Sequence, residues 1–589
     1  METYYGHSVS SGIALGRLVR LHETDNRIKS IYIASADQQG EWQRFEQARH
    51  LARAELQHSA EVISDLLGEA QRLIIEPQIM MLDDNSFVTS VRQSIFQESY
   101  SLEYAVEKFR QEVSASFASV EDTYLRERMN DIFTVTRLVV KYAQQQNSNP
   151  KEPEDFSYGS EIQGAIVYAN DITPSEITLL ISSGIVGAVT AKTSALSHTA
   201  ILCKSMEIPM LTGIEFGEVQ DCPVIIDSYR GQFIVNPTPE VEDDFRQRQL
   251  RIIQYKTIMV SSSFQRKDTD VQIYGNVEIP AEAIHLAQYQ AHGIGLLRSE
   301  FMILQMERFP RFEEQLAFYQ SILEKCNYLP TTVRTVDIGS DKVASFLHME
   351  HEDNPAMGRR GIRYSLSRPE EFATHLRAIL SLAQWTDLRV MFPMVTIPDE
   401  VIRARALTEQ VLAELRRENP ALPASVPIGI MVETPASAMS IGAFVKYIDF
   451  ISVGTNDLTQ YVMASDRTSK GVGHLCNPYH PPILRVLHHI AQTAKKFNIP
   501  VNICGETASD IFYLPILHGM GYRSFSVRTP SIPEVRVVLS DLDPARSEHL
   551  ATRVMESWNV EQVTEQCVEF IQDILPTELL EYVMVNKTC

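Results

Sequence analysis

The sequence predicts a multidomain α/β protein: an α/β domain carrying an inserted helical bundle, followed by a (β/α)8 barrel of the TIM type. Three observations predict it. From Thr269 onward, eight short apolar segments alternate with helical patterns, the number of strand–helix units such a barrel requires. Between Tyr158 and about Pro239, short apolar strands are punctuated by Gly and Pro and alternate with helical pieces, an α/β texture. Between Gln38 and about Gln146 the chain is polar, nearly free of Gly and Pro, and periodic at three to four residues, the mark of amphipathic helices.

Each element follows from its local pattern. The opening stretch SSGIALGRL reads as a strand with a glycine turn that joins the later α/β sheet, so the helical region interrupts that domain. Phe45, Ala48, Ala52 and Leu56, then Val62 and Leu66, trace one helical face, and Ser101–Phe117 and Arg126–Tyr142 repeat the pattern. Strict heptads are not sustained, which disfavours a coiled-coil spacer. GAIVYA, GIVGAVTA, PVIIDS and QFIVNP supply strands, and the charged stretch Glu240–Lys256 reads as a linker. The expected partition is 1–37 and 148–239 for the α/β domain, 38–147 for the helical insertion, 240–260 for a linker and hinge helix, and 261–589 for the barrel. The eight barrel segments are VQIYGNV, GIGLLRSE, VRTVDIG, RVMFPMV, IGIMVE, FISVGTND, VNICGE and SFSV. An open doubly wound sheet is the alternative arrangement.

Composition narrows function. The 589 residues carry 75 acidic and 53 basic side chains, a formal net charge of −22, which argues against non-specific binding to nucleic acid or an anionic membrane. An anionic substrate would need local arginines. No apolar run approaches the ~20 residues of a bilayer span, and the N-terminus lacks a basic region followed by an apolar one, so no signal peptide is expected. Seven scattered cysteines without a CxxC pair suit reduced thiols in a cytoplasm.

Polar residues gather at the predicted C-terminal ends of the barrel strands: Asn276, Arg298, Glu300, Asp337, Glu433, Asn456, Asp457 and Cys504. In such barrels the βα loops at that end build the active site. Glu433 and Asp457 could hold one hard divalent cation, which takes few protein carboxylates and keeps places for water and substrate phosphate. Arg298, Arg334, Arg467, Arg360 and Arg363 would surround it with forked donors suited to carboxylate and phosphate. Together they suggest a small phosphorylated acid as ligand, although each arginine alone is more often a surface ion pair. Cys504, by default a buried small hydrophobe, could act there as an acid or base; Glu300 and Lys342 would orient neighbours or pair with one another. In the α/β domain, His198 precedes an apolar helix starting near Thr199. The positive end of a helix dipole disfavours imidazolium and favours an attached phosphate, and neutral imidazole is a nucleophile. Alone, a Ser-His pair there is more often a cap.

These segments in order resemble enzyme I of the bacterial phosphoenolpyruvate-dependent sugar phosphotransferase system. SSGIALGRL, EPQIMMLDD, DITPSE, SHTAIL, GIGLLRSEF, VRTVDIGSDK, NPAMGRRGIR, MFPMV, IMVETPA, VGTNDLTQYVMASDR and NICGETASD all look like family signatures, spread over essentially the whole chain. The resemblance implies that His198 is phosphorylated by phosphoenolpyruvate and that Glu433 and Asp457 ligate Mg²⁺. It implies that Arg298, Arg334, Asn456, Asp457 and Arg467 bind phosphoenolpyruvate, and that Cys504 protonates the enolate to pyruvate. It implies too a phosphohistidine α/β domain, a helical domain that docks the phosphocarrier HPr, and a homodimer formed through the barrel. A dikinase or synthase of the same substrate would need a further ATP-binding domain for which the chain has no room. The chain departs from the pattern at Thr193, Ser194, Ala195 and Leu196, where Gly-Gly-Arg-Thr is usual, at Lys204 for arginine, at Gln78 for histidine, and at Ser509 for a glycine after Cys504. Those departures point to a divergent or paralogous member, and frame a second reading: a non-catalytic regulatory protein that binds phosphoenolpyruvate.

Overall fold

The structure is a computed structural model describing residues 1–21, 31–67, 75–117, 123–145, 162–193, 198–217, 221–261, 270–306, 308–339, 352–467, 469 and 471–575. The chain divides into two compact units, one spanning Met1–Arg251 and one beginning at Ile252.

The first unit is built on an eight-stranded sheet. Three strands open the chain, β1 (Glu2–Tyr5), β2 (His7–Ser10) and β3 (Ile13–Arg20). Five helices follow, α1 (Gln38–Leu67), α2 (Glu76–Met81), α3 (Asn85–Phe96), α4 (Leu102–Phe117) and α5 (Thr123–Gln145). The chain then returns to the sheet as β4 (Ala165–Ala169), α6 (Pro174–Ser182), β5 (Gly187–Thr190), α7 (His198–Ser205), β6 (Met210–Thr212), β7 (Pro223–Asp227) and β8 (Gln232–Val235). Strand order is β1-β8-β7-β3-β4-β5-β6-β2, with β3, β4, β5 and β6 parallel and the rest antiparallel. The first long strand therefore lies mid-sheet between β4 and β7, and the helical region is an insertion, as its sequence texture predicts. β3 is central because both of its edges are paired, to β4 and to β7, and its apolar residues Ile13, Ala14 and Leu18 are buried in the sheet's core.

The insertion buries the first part of the face traced by the periodicity; the side chains of Val62 and Leu66 lie outside the described residues. Phe45, Ala48, Ala52 and Leu56 pack with Phe87, Val91, Val106 and Val139 in one core. Helix α3 starts where Asp84 accepts from the backbone N–H groups of Ser86 (2.7 Å) and Phe87 (3.4 Å), satisfying donors that have no intrahelical partner. The charged stretch after β8 is helix α8 (Pro239–Ser261). Its first half is tied to the sheet by buried Phe245, by Arg248 to Asp227 (3.0 Å) and by Gln249 to the Ile13 carbonyl (2.8 Å).

The second unit is a closed barrel of eight strands in sequence order: β9 (Gln272–Val277), β10 (Ile294–Leu297), β11 (Thr331–Arg334), β12 (Leu388–Phe392), β13 (Ile428–Val432), β14 (Phe450–Val453), β15 (Val501–Ile503) and β16 (Ser524–Arg528). Every pairing is parallel, including β16 with β9, which closes the ring. All eight apolar segments expected from the sequence are strands, and the open-sheet alternative falls. Several of these strands, buried on both faces, read as continuous apolar runs and not as alternations: β10, β13 and β14 are buried at every position.

One glycine sets how closely the strand ends approach. A methyl group on Gly505 would overlap Thr455 Oγ1 and lie 2.7 Å from the Thr455 backbone N. Gly505→Ala is therefore expected to push the end of β15 away from the turn after β14 and to destabilise the barrel by about 1–3 kcal/mol, the usual cost of overpacking. Scanning calorimetry of the barrel transition measures it, and an unchanged transition would mean the two turns are not in contact.

Candidate active site

The residues at the C-terminal ends of the barrel strands converge. Register explains the convergence: in a parallel barrel each residue that follows a strand emerges at the same rim. Glu433 follows β13, Arg334 ends β11 with Asp337 three residues on, and Asp457 lies in the first turn of the helix Thr455–Val462 after β14. Asp337, Glu433 and Asp457 are buried, and their carboxylate oxygens lie within 4.8 Å of one another. Sequence reasoning offered the second and third as cation ligands and left Asp337 as an unassigned strand-end residue. Its position at a predicted strand end was its signal.

Guanidinium groups answer the acids. Arg360 binds both aspartates at once, donating to Asp337 at 2.9 and 3.0 Å and to Asp457 at 3.1 and 3.0 Å, the bidentate geometry in which arginine exceeds lysine. It reaches them from the turn before Gly361. There φ is +59° and a side chain would crowd Met394 at 2.8 Å, so glycine is needed. Arg334 pairs with Glu300 (3.0 Å) and Asp337 (3.2 Å). Burial opposes the charges of Arg334 and Arg360, but the acids outweigh it, so both pKa values rise above the ordinary arginine value. Arg298 meets Glu278 at 3.4 Å.

Three guanidinium groups thus face five carboxyls, and burial makes the imbalance costly. Glu433 relieves it: burial, then the charges of Asp337 and Asp457, push its carboxyl up to about 8, against a hydrogen bond from the Met394 N–H at 2.7 Å. A cluster of buried acidic oxygen donors is the donor set a hard divalent cation prefers, so the residues present fit one.

Other expected residues divide. Cys504 is buried, its thiol against the Val453 carbonyl (3.4 Å), and burial pushes it up to about 11. At neutral pH it is therefore a protonated thiol, a proton donor and not a thiolate. Asn456 is half-buried at the same rim, exchanging bonds with Glu506 (3.0 and 3.1 Å). Arg467 is exposed in the following loop, its N–H donating to Gln460 Oε1 (3.4 Å), and nothing described joins its guanidinium to the acidic cluster. Arg363 braces its own loop through the carbonyls of Met357 (3.1 Å) and Gly358 (3.3 Å) and does not reach the cluster. Glu300 accepts from Arg334 and from the Asp337 N–H (2.7 Å); Lys342, its other expected partner, lies outside the described residues.

In the other unit His198 is the first residue of α7, one position earlier than the sequence suggests. Residues 194–197 before it lie outside the described residues. The flanks are fixed: Thr193 donates to Asp171 (2.6 Å) and Thr199 to the Ile172 carbonyl (2.7 Å).

The Glu433 carboxyl gives the site a pH signature. In the cation-free fold it keeps its proton up to about pH 8, whereas an unfolded glutamate loses it near pH 4.3. The folded state binds the extra proton, so cation-free stability falls as pH rises through that window. A bound divalent ion needs the carboxylate and must expel the proton. Calorimetric titration of Mg²⁺ at pH 7 in two buffers of different ionisation enthalpy is expected to report release of about one proton per ion. Release of none would mean Glu433 is already ionised.

Known proteins share this architecture. Family models described as the PEP-utilising enzyme N-terminal, mobile and PEP-binding domains match residues 5–128, 161–231 and 255–543. The phosphoenolpyruvate-protein phosphotransferase of Bacillus sp. (strain S) is 33% identical over 579 residues, covering 97% of this chain and 98% of that protein. That of Geobacillus stearothermophilus matches equally, at 33% over 579 residues with 97% and 98% covered. That of Cupriavidus necator is 32% identical over 574 residues, covering 95% of this chain and 97% of its own. With all three domains in order and a third of the residues identical from end to end, the chain belongs to the phosphoenolpyruvate-protein phosphotransferase family of PEP-utilising enzymes.

Proposed function

We propose that the protein takes the phosphoryl group of phosphoenolpyruvate onto His198, passes it to a histidine of an HPr-type phosphocarrier, and releases pyruvate in the cytoplasm. The observation that carries this reading is the barrel mouth, where buried carboxylates suited to a cation stand among guanidinium groups and a protonated thiol.

The chemistry divides among the chain's own residues. Asp337, Glu433 and Asp457 would hold Mg²⁺, which when bound neutralises charge on the transferring phosphoryl group. Arg334 and Arg360 supply donors for phosphoryl oxygens, while Arg298, Asn456 and Arg467 ring the carboxylate side of the substrate. Neutral imidazole at His198 attacks phosphorus in line. The P–N bond forms as the bond from phosphorus to the enol oxygen breaks, and the electron pair stays with the enolate. Cys504 delivers its proton to the enolate methylene carbon, giving pyruvate and a thiolate that solvent reprotonates. A thiol near pKa 11 stays loaded with its proton at neutral pH, which suits an acid better than a nucleophile.

The phosphohistidine at the start of α7 would sit on a helix N-terminus, where unpaired N–H groups favour an anion. The usual Gly-Gly-Arg-Thr stem is replaced by Thr193–Leu196, and the hydrogen bond from Thr193 to Asp171 supports an ordered loop entry in its place. We assign the partition given above to function as follows: 38–147 docks the carrier, the helix at 240–260 is the hinge, and the barrel carries the homodimer contact.

The test is direct. Incubated with Mg²⁺ and ³²P-labelled phosphoenolpyruvate, the wild type is expected to gain acid-labile, base-stable label that His198→Ala lacks, and added HPr should remove it. Absence of label from a wild type that still binds phosphoenolpyruvate would leave the regulatory reading.

A further inference from the structure

Glu278 has no place in the chemistry above, yet the fold aims it at a residue that does. Strands β9 and β10 are paired with Val277 opposite Leu297, so the next residues, Glu278 and Arg298, emerge side by side at the barrel rim. The Arg298 N–H donates to the Val277 carbonyl (2.9 Å), which locks that register. On the other side Glu282 accepts from the N–H groups of Glu278 (2.7 Å) and Ile279 (3.3 Å), so the turn that carries Glu278 is held as well.

The contact itself is poor. Arg298 Nη1 and Glu278 Oε1 are 3.4 Å apart, and the side chains are 37% and 40% exposed, conditions in which an ion pair contributes little. The Arg298 Nε is enclosed and lacks a hydrogen-bond acceptor. Such a guanidinium is under-satisfied: Glu278 is its one hydrogen-bonded carboxylate and the contact is long, its Nε has no acceptor, and the nearby charges of Glu300 and Arg334 oppose one another. A better acceptor arriving at the rim would take it.

We propose that Glu278 is an internal competitor for the substrate's anionic groups at Arg298, setting how much charge a ligand must bring to displace it. This rests on the reading of the barrel mouth as a phosphoenolpyruvate site. Phosphoenolpyruvate brings a carboxylate and a phosphoryl group anchored by the cation ligands and by Arg334 and Arg360, and it outbids Glu278. Pyruvate has only the carboxylate, loses the phosphoryl anchor, and returns Arg298 to Glu278. Displacing Glu278 costs every ligand that engages Arg298 the same amount, so the carboxylate weakens phosphoenolpyruvate and pyruvate alike and leaves the less anchored product with the smaller remaining affinity.

The test uses the full-length chain with Mg²⁺ and three forms: wild type, Glu278→Gln and Glu278→Asp. Calorimetry gives the affinity for phosphoenolpyruvate on a His198→Ala background, and inhibition of label exchange by pyruvate gives the product's affinity on the His198 background. Removing the charge in Glu278→Gln is expected to tighten phosphoenolpyruvate about two- to fivefold, the scale of a half-exposed ion pair, and pyruvate by no more than that. Glu278→Asp keeps the charge and should stay near wild type, and raising salt should narrow the gap between wild type and Glu278→Gln. A side chain that merely supported the turn would weaken both ligands when altered. Weaker or unchanged binding by a folded Glu278→Gln overturns the competitor role while leaving the function intact. Failure of the Glu278-containing chain to bind phosphoenolpyruvate at all would instead remove the functional reading beneath it.

Discussion

The barrel mouth is governed by one electrostatic constraint: Asp337, Glu433 and Asp457 are buried with their oxygens within 4.8 Å of one another. Like charges so close and so dry cannot all persist without compensation. Two devices supply it in the cation-free protein. Arg360 spans both aspartates in a bidentate clamp, and Glu433 retains a proton far above the usual carboxylate range. A divalent ion would replace both devices at once, which frees a guanidinium for an incoming anion. The same arrangement that is costly when empty is therefore prepared for a charged ligand, a common property of sites whose pKa values are strongly perturbed.

The rest of the barrel serves that constraint. Parallel register places the acids and arginines on one rim. Glycines let backbone approach where side chains would not: at Gly361 the left-handed turn brings Arg360 to Asp337, and at Gly505 the end of β15 presses against Thr455 so that Cys504 lies close to the acids. Apolar packing around Cys504 by Leu296, Met391, Met431 and Phe450 keeps water from the thiol and raises its pKa. Burial thus does the same thing to a carboxyl and to a thiol, holding each in its protonated form until the chemistry needs the proton elsewhere.

Much of this could be read from residue order. The eight strands were legible because parallel strands buried on both faces are short continuous apolar runs broken by helix-period segments, and because charged residues sit abruptly at their ends. Glu433, Asp457, Arg334 and Cys504 stand out that way as candidates, and the structure brings them to one rim. Arg360 was legible only as one of several arginines, since it lies in a loop between β11 and β12 whose path is set by tertiary packing, and Arg363 three positions on turned out to brace that loop. Asp337 and Glu300 were visible as polar strand-end residues but not as partners, because an i,i+3 spacing says nothing about which side of a rim two side chains face. Glu278 gave no signal at all: its meaning comes from register between β9 and β10. The unit containing His198 was legible as a sheet with a helical insertion for the same reason as the barrel. The start of α7, one residue early, differs only by the scatter normal at helix ends.

The claim that everything else depends on is that the acidic cluster and its arginines form one cation-dependent anion site. The most direct measurement is calorimetric titration of phosphoenolpyruvate into the full-length His198→Ala chain, which cannot accept the phosphoryl group, with Mg²⁺, with chelator, and with Mg²⁺ after Asp457→Asn. The account predicts saturable binding with Mg²⁺ that weakens by roughly tenfold or more in the other two conditions. Equal affinity in all three would contradict it and place the ligand elsewhere.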